Sequence, residues 1–334
     1  MSSQGIVSVV GGPIDAKSGP EERFSCSNSP RSAKIGGKSV NSIRVYSPAK
    51  LNLFLAITGR RSDGYHELVS LASPLDWGDW LTAEETGDGF SLECGDPRIP
   101  RDGDNLILRA AVAFKAASGW RGGVRFILDK RIPVGAGLGG GSSNAVAALR
   151  ALNHLAGGPI DEAGLLKVAA GLGSDCPLFL SGSAVVMRGR GERVERLAAE
   201  PAARLKGRRV LVAKPGFEIS TASAYARLAQ RARDAYMPEA EAERRLASWL
   251  GDASAAEGIL FNSFERPTFG RFMALPVLSD RLRIRFGLDL HLSGSGSACF
   301  ALLPPAGGPP PDEVAALVRD AWGPSALLKE ARMA

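Results

Sequence analysis

The chain has 334 residues, 45% hydrophobic and 23% charged, an ordinary globular balance and, at ~150 residues per domain, enough for two domains or one large one. No apolar run approaches the ~20 residues of a membrane-crossing helix, so no membrane partner is expected. The formal charge is +6, of which residues 1–50, with seven Lys/Arg and three Asp/Glu, hold +4 and the other 284 residues +2.

At 7% aromatic residues, the basic face with stacking platforms of a nucleic-acid binder is not expected. Cys26, Cys94, Cys176 and Cys299 are scattered, with no CxxC pair and no histidine at ligand spacing. That excludes a zinc finger or ribbon, offers no disulfide framework and points to a reducing, cytoplasmic setting.

Ten Ser, six Gly and three Pro fall within residues 1–42. Such a stretch buries too little apolar area to offset its ordering entropy and reads as a disordered leader. It lacks the regions of a secretory signal; its Ser-rich, basic composition leaves an organelle transit peptide as the alternative, against which Glu21 and Glu22 count. Residues 43–58 alternate as a strand, with Leu51, Leu53 and Leu55 on one face and Lys50, Asn52 and Phe54 on the other; Pro48 suits its entry. Gly59-Arg60-Arg61-Ser62-Asp63-Gly64-Tyr65-His66 is turn-rich. A helix over 105–117 and a strand over 124–132 lead into a glycine-rich loop, 135–141, then Ser142-Ser143 and a helix to about residue 155. Its Ala145, Ala148, Leu149 and Leu152 share a side. Asp161 would cap a helix through 170 that ends at Gly171. Ser174-Asp175-Cys176-Pro177 begins a short helix or turn, and 209–213 is strand-like. Residues 221–250 read as helical, 291–303 as strand, loop and strand, and 311–322 as a last helix. No internal repeat is visible, and interleaved strands and helices make the chain α/β or α+β.

The strongest local signal is Pro133-Val134-Gly135-Ala136-Gly137-Leu138-Gly139-Gly140-Gly141-Ser142-Ser143. Glycines let backbone N–H groups close on an anion, and a helix start adds partial positive charge. The hydroxyls suit phosphate or the water shell of magnesium. The plain alternative is a flexible turn capped by Ser143. Gly135, Gly137 and Gly140 also spell the dinucleotide pattern, with Asp161 following. Against it, Lys130-Arg131-Ile132-Pro133 is a polar finish for a buried first strand, and Asp161 reads as a helix cap. The stretch 32–39 nearly spells a Walker loop, but Ser32 stands where that motif needs its first glycine. Taken singly, Lys50 and Asn52 read as a solvated strand face, Asp175 as a helix cap and His66 beside Tyr65 as turn chemistry. Cys176 has no histidine-bearing motif and does not read as a nucleophile.

Together, Pro48-Ala49-Lys50-Leu51-Asn52-Leu53, the loop from Pro133 to Ser143, and Ser293-Gly294-Ser295-Gly296 resemble, in order, the three motifs of the GHMP kinases. That superfamily includes galactokinase, homoserine kinase and mevalonate kinase. The stretch 59–68, centred on Asp63-Gly64-Tyr65-His66, and Gly173-Ser174-Asp175-Cys176-Pro177 are similar to the branch that phosphorylates 4-diphosphocytidyl-2-C-methyl-D-erythritol in non-mevalonate isoprenoid synthesis. The resemblance runs from about Ile43 to the C-terminus. It implies an α+β fold of two domains with the site between them. An ATP-binding half, 43–190, would be like domain 2 of ribosomal protein S5, and a half over 191–334 would be ferredoxin-like. The boundary falls softly at Arg188-Gly189-Arg190-Gly191.

The implied reaction carries the ATP γ-phosphoryl group to the acceptor's 2-hydroxyl, in a protein acting as monomer or homodimer. Asp175 would be the general base, with Lys50 beside it making the hydroxyl easier to deprotonate. Pro133 and Gly135 would begin the phosphate loop, and the backbone of Gly137, Leu138, Gly139, Gly140 and Gly141 would hold the triphosphate. Ser142 and Ser143 would sit near a magnesium ion that arrives with ATP and needs no carboxylate cage. Asn105 and Lys130 match adenosine-contacting positions. Tyr65 would stack on cytosine, His66 would bond its edge, and Asn52 would hold substrate phosphate or hydroxyls. Two features depart from the pattern: Asn262-Ser263-Phe264-Glu265 stands where Asn-Asp-Phe-Glu is frequent, and the leader is longer than the family needs. Another GHMP kinase, a dinucleotide oxidoreductase and a non-catalytic binding module are the competing readings; the Asp63-Gly64-Tyr65-His66 loop favours the cytidyl acceptor.

Overall fold

In the computed structural model, residues 33–35, 38–251 and 256–334 are described. β1 (Ala33–Ile35) and β2 (Lys38–Val40) pair antiparallel, so this part of the expected leader has structure; residues 1–32 and 36–37, the rest of that leader bar 41 and 42, lie outside the described residues. Two long strands then organise the chain. β3 (Ser42–Arg60) and β4 (His66–Thr86) pair antiparallel from Ser42 opposite Glu84 to Arg60 opposite His66. β5 (Phe90–Cys94), β6 (Gly123–Asp129), β7 (Val185–Gly189) and β8 (Arg193–Arg196) complete most of a seven-stranded sheet. Its order is β10-β3-β4-β6-β5, with β7 on β4 and β8 on β7. α1 (Leu106–Ser118), α2 (Gly140–Leu155), α3 (Glu162–Leu172) and α4 (Cys176–Ser181) belong to the same half of the chain.

The second half runs α5 (Ala199–Leu205), β9 (Arg209–Lys214), α6 (Thr221–Gln230), α7 (Ala232–Ala235), α8 (Glu239–Gly251), β10 (Phe261–Asn262), α9 (Glu265–Phe269), α10 (Ala274–Phe286), β11 (His291–Leu292), β12 (Cys299–Leu302), α11 (Pro311–Trp322) and β13 (Leu327–Arg332). Its antiparallel four-stranded sheet has the order β11-β12-β9-β13. β10 leaves it to pair parallel with β3. The apolar cores span both halves. One gathers Phe114, Phe126, Leu149, Leu278 and Val318; the other gathers Leu51, Leu53, Phe54, Val212, Leu246 and Phe300. No described helix is long and apolar enough to cross a membrane.

β3 keeps the strand expected over 43–58 but not its faces. Register shifts fall between Pro48 and Lys50, Asn52 and Phe54, and Ile57 and Gly59, and each irregularity resets the alternation. Leu51 and Leu53 therefore pack with Phe54 in one core, while Leu55 joins the other. Lys50 and Asn52 are no solvated face; they are 3% and 5% exposed. At the first shift β3 and β4 cross so closely that a Cβ on Gly78 would lie 2.3 Å from the Ser47 carbonyl oxygen.

Other boundaries move for local reasons. The helix read over 221–250 breaks at Tyr236-Met237-Pro238, because proline lacks the N–H and its ring crowds the preceding turn. α3 runs through Gly171 to Leu172, and Gly173 ends it. The hairpin β7–β8 straddles residue 190, Arg188 facing Arg193, so the first sheet continues past that point.

Candidate active site

A cleft of about 820 Å³ opens between the two halves, within the range of small-molecule sites. β3 delivers Lys50 and Asn52 to its floor. The Lys50 ammonium donates to Asn52 Oδ1 at 2.5 Å and lies 3.5 Å from Asp175 Oδ2. Asn52 in turn donates to the Ser70 hydroxyl (2.9 Å), which donates to the Phe54 carbonyl (2.7 Å). Asp175 precedes α4 but makes no side-chain cap bond. The cap reading of Asp175 therefore fails, and its carboxylate, a third exposed, lines the cleft. Cys176 behind it is buried, which pushes its thiol up to about 11. It is no nucleophile at neutral pH.

The glycine loop binds the two halves together. Gly137 and Gly139 hold φ of 75° and 70°, a region open to glycine at little cost. A Cβ on Gly137 would lie 2.2 Å from the Ser293 carbonyl oxygen, and one on Gly139 would lie 2.9 Å from Lys50 Cγ. The Ser293 to Ser297 turn is thus laid against the loop, with Ser293 Oγ donating to the Gly137 carbonyl (3.2 Å) and Ala298 N–H to the Ala136 carbonyl (3.0 Å). Asn262 holds the same turn by donating to the carbonyls of Leu292 (2.7 Å) and Gly294 (2.9 Å). The loop then enters α2 at Gly140, whose first N–H groups have no helical acceptor.

Asp79, unmarked in the sequence reading, fastens the entrance to this loop. Its carboxylate is fully buried and accepts from Lys130 Nζ (2.5 Å), Arg131 N–H (2.6 Å), Ile132 N–H (2.7 Å) and Asn144 Nδ2 (2.8 Å). Lys130 lines the cleft with its ammonium committed to this carboxylate. Asn105 also lines the cleft, but its amide caps α1 through Ile107 N–H (2.9 Å) and donates to the Pro100 carbonyl (2.7 Å). Pro133, Gly135, Leu138, Gly140, Gly141 and Ser142 line the cleft. Ser143 does not: it is 1% exposed, and its hydroxyl accepts from Ser47 Oγ at 2.8 Å. Asp161 caps α3 through Gly164 N–H (2.8 Å), and both strands that pair with β6, the antiparallel β4 and the parallel β5, come before the glycine loop. The loop therefore leads into no parallel strand beside β6, as the first β-α-β unit of a dinucleotide fold requires.

The other end of the cleft is aromatic. Tyr65 sits at the β3–β4 hairpin tip, half exposed, with the Arg190 guanidinium 5.0 Å over its ring. His66 Nε2 lies 2.9 Å from the Tyr236 hydroxyl, and the Tyr225 ring lies 4.7 Å from the imidazole. Tyr225 packs edge-on to Phe264, and burial pushes its phenol pKa up. Burial, then the Arg60 charge, lowers the pKa of His66, so the ring is neutral at pH 7. Arg190, Tyr225 and Tyr236 were missed because nothing in their spacing links them to His66. The Asp79 signal was an acid inside Trp77-Gly78-Asp79-Trp80, a charge in a run otherwise fit for burial. Ser263, the departure from Asn-Asp-Phe-Glu, is 4% exposed. Its hydroxyl accepts from Ile57 N–H at 3.0 Å, satisfying the backbone at the third register shift of β3.

The GHMP kinases N-terminal domain matches residues 105–183. A 4-diphosphocytidyl-2-C-methyl-D-erythritol kinase of Synechococcus sp. (strain CC9311) is 40% identical over 275 residues, covering 78% of this chain and 87% of its own length. One of Thermus thermophilus is 39% identical over 277 residues, covering 83% and 92%. A crystal structure of a 4-(cytidine 5'-diphospho)-2C-methyl-D-erythritol kinase superposes with a TM-score of 0.67 at 35% identity, covering 87% of this chain and 100% of the other. A homoserine kinase of Cytophaga hutchinsonii gives a TM-score of 0.63 at 18% identity, over 90% of this chain and 97% of its own. That last likeness is one of fold.

Proposed function

The chain belongs to the 4-diphosphocytidyl-2-C-methyl-D-erythritol kinases, a family of GHMP kinases, and we propose from this how its cleft works. It is an ATP-dependent phosphotransferase whose acceptor is 4-diphosphocytidyl-2-C-methyl-D-erythritol, and its products are ADP and the 2-phosphate. The observation that carries the reading is Lys50 Nζ at 3.5 Å from Asp175 Oδ2, between the glycine loop and the aromatic pocket.

Asp175 takes the proton of the 2-hydroxyl. The oxygen attacks the γ-phosphorus in line, the bond to the β-bridging oxygen breaks, and ADP leaves with that electron pair. Such transfers depend mainly on positioning and charge stabilisation. Lys50, fixed by Asn52, supplies positive charge beside the attacking oxygen, and Asn52 also reaches toward the acceptor's hydroxyls. The N–H groups at the start of α2 and along Gly137 to Ser142 hold the triphosphate. Asn105 and Lys130 line the end that receives adenosine.

Magnesium fits this donor set. The described residues hold no group of three His, Cys, Asp or Glu suited to a metal, but the Ser142 hydroxyl offers an oxygen to an ion that keeps waters and substrate phosphates. Bound with ATP, it would neutralise phosphate charge. Tyr65 stacks on cytosine and His66 bonds its edge.

The proposal includes two domains, 43–190 and 191–334, with β8 belonging to the first sheet. The order β11-β12-β9-β13 supports a ferredoxin-like second half; the likeness of the first half to domain 2 of ribosomal protein S5 rests on the sequence resemblance. The protein would act in the cytoplasm as monomer or homodimer, without a nucleic-acid partner.

An ADP-release assay with magnesium–ATP tests the acceptor, with mevalonate, homoserine and galactose as controls. Turnover is expected with the cytidyl acceptor alone. Turnover with a control alone would overturn the choice of acceptor.

A further inference from the structure

Tyr236 takes no part in the chemistry above, yet its hydroxyl reaches His66 Nε2 at 2.9 Å across 170 residues of chain. The phenol ring meets the imidazole edge-on at 5.8 Å and 87°. The chain holds it there deliberately. Pro238 prevents α7 and α8 from joining into one helix, and Met237 N–H donates to the Ile57 carbonyl at 3.0 Å. That bond pins residue 236 beside the end of β3, the strand that leads into the hairpin carrying His66. Tyr225 covers a ring face. The imidazole is held at one edge and one face, and Nδ1 is its nitrogen without a partner among the described residues.

In a neutral histidine, the bond made by one nitrogen decides which of the two carries the proton. A phenol is a better donor than an imidazole N–H, and a bare imidazole nitrogen is a better acceptor than a phenol oxygen. Nε2 is the partner of the Tyr236 hydroxyl among the described residues, and the stronger pairing is the one in which the phenol donates and the ring proton resides on Nδ1. We propose that Tyr236 is a positioning residue that fixes His66 as the Nδ1–H tautomer and so makes the acceptor pocket choose cytosine over uracil. This rests on reading Tyr65 and His66 as the base pocket.

The selectivity follows from the base edges. N3 of cytosine is an acceptor and takes the Nδ1–H bond. N3 of uracil carries a hydrogen, so two donors would face each other and both would lose their partner. A site built around a hydrogen bond rejects an analogue that cannot make it, because polar groups are left unpaired. Burial and the Arg60 charge both favour the neutral ring, the form the choice needs.

Two measurements test this on the full chain. Nitrogen-15 NMR of the imidazoles is tractable because the chain has three histidines, and His66→Gln identifies the signals. The wild type should show the Nδ1–H tautomer, and Tyr236→Phe should move population to Nε2–H. In kinetics, the ratio of kcat/KM for the cytidyl acceptor over its uridyl analogue should fall about fivefold in Tyr236→Phe, the factor of one hydrogen bond. The KM for ATP should hold. An Nε2–H ring in the wild type would overturn the proposal, as would an unchanged ratio in the variant. Failure of the wild type to use the cytidyl acceptor would instead overturn the acceptor assignment; the NMR result would still decide whether Tyr236 sets the tautomer.

Discussion

At the proposed ATP end of the cleft, the groups that line it are largely backbone. Alternate glycines open the loop, the start of α2 presents N–H donors, and a buried carboxylate, Asp79, ties down the segment leading in. At the proposed acceptor end, the groups are side chains: Tyr65 and His66 from the β3–β4 hairpin, Arg190 from the β7–β8 turn and Tyr225 from α6, with Tyr236 bonded to His66. The first end suits a ligand part, the triphosphate, that differs little between kinases of one fold. On the proposed reading, the second end decides which acceptor enters. Changes at the first should therefore cost structure and ATP affinity together, and changes at the second should alter acceptor use alone.

The largest effect is expected from Gly137→Ala, because its methyl would meet the Ser293 carbonyl at 2.2 Å from a backbone that disfavours any side chain. Calorimetry should find ATP binding abolished, and retained affinity would break the idea of a rigid seam. Asp79→Ala comes next. It leaves Lys130, a buried cation, without its carboxylate, and denaturant unfolding should show a loss of about 3–5 kcal/mol with a raised KM for ATP. At the other end, His66→Ala should raise the KM for the acceptor by about tenfold, a cost of the order of one hydrogen bond to a polar base. Melting temperature and KM for ATP should hold; a change in either would erase the division between the two ends.

The smallest effect is one of pH. Because the His66 pKa is lowered, the neutral ring is the form present above its ordinary value of about 6.5. Acceptor KM should stay level from pH 8 down to that point and rise only further below as the ring gains its proton. A rise already complete at pH 7 would contradict the depressed value.

How much of this was legible beforehand follows the same division. Phosphate binding by backbone demands glycines in a row, and that demand is written in residues 135–141. Side-chain constellations leave no such trace: Tyr225 and Tyr236 come to His66 from about half the chain away, with no spacing to announce them. Lys50 misled when read alone, because a strict two-residue alternation cannot foresee the register shifts of β3. β4 was missed for a related reason; buried on both faces over most of its length, it shows no alternation to detect. Asp175 reads as a cap from its position before Cys176-Pro177, and its lack of a cap bond is a feature of the folded chain alone.

The measurement closest to the heart of the matter concerns the Lys50–Asp175 pair, where the two ends meet. Asp175→Asn keeps the shape of the side chain and removes the proposed base. Turnover should fall by about 10²–10⁴-fold while the Kd for ATP, read by calorimetry, and the KM for the acceptor stay near wild type. Turnover near the wild-type rate in that variant would show that another group takes the proton.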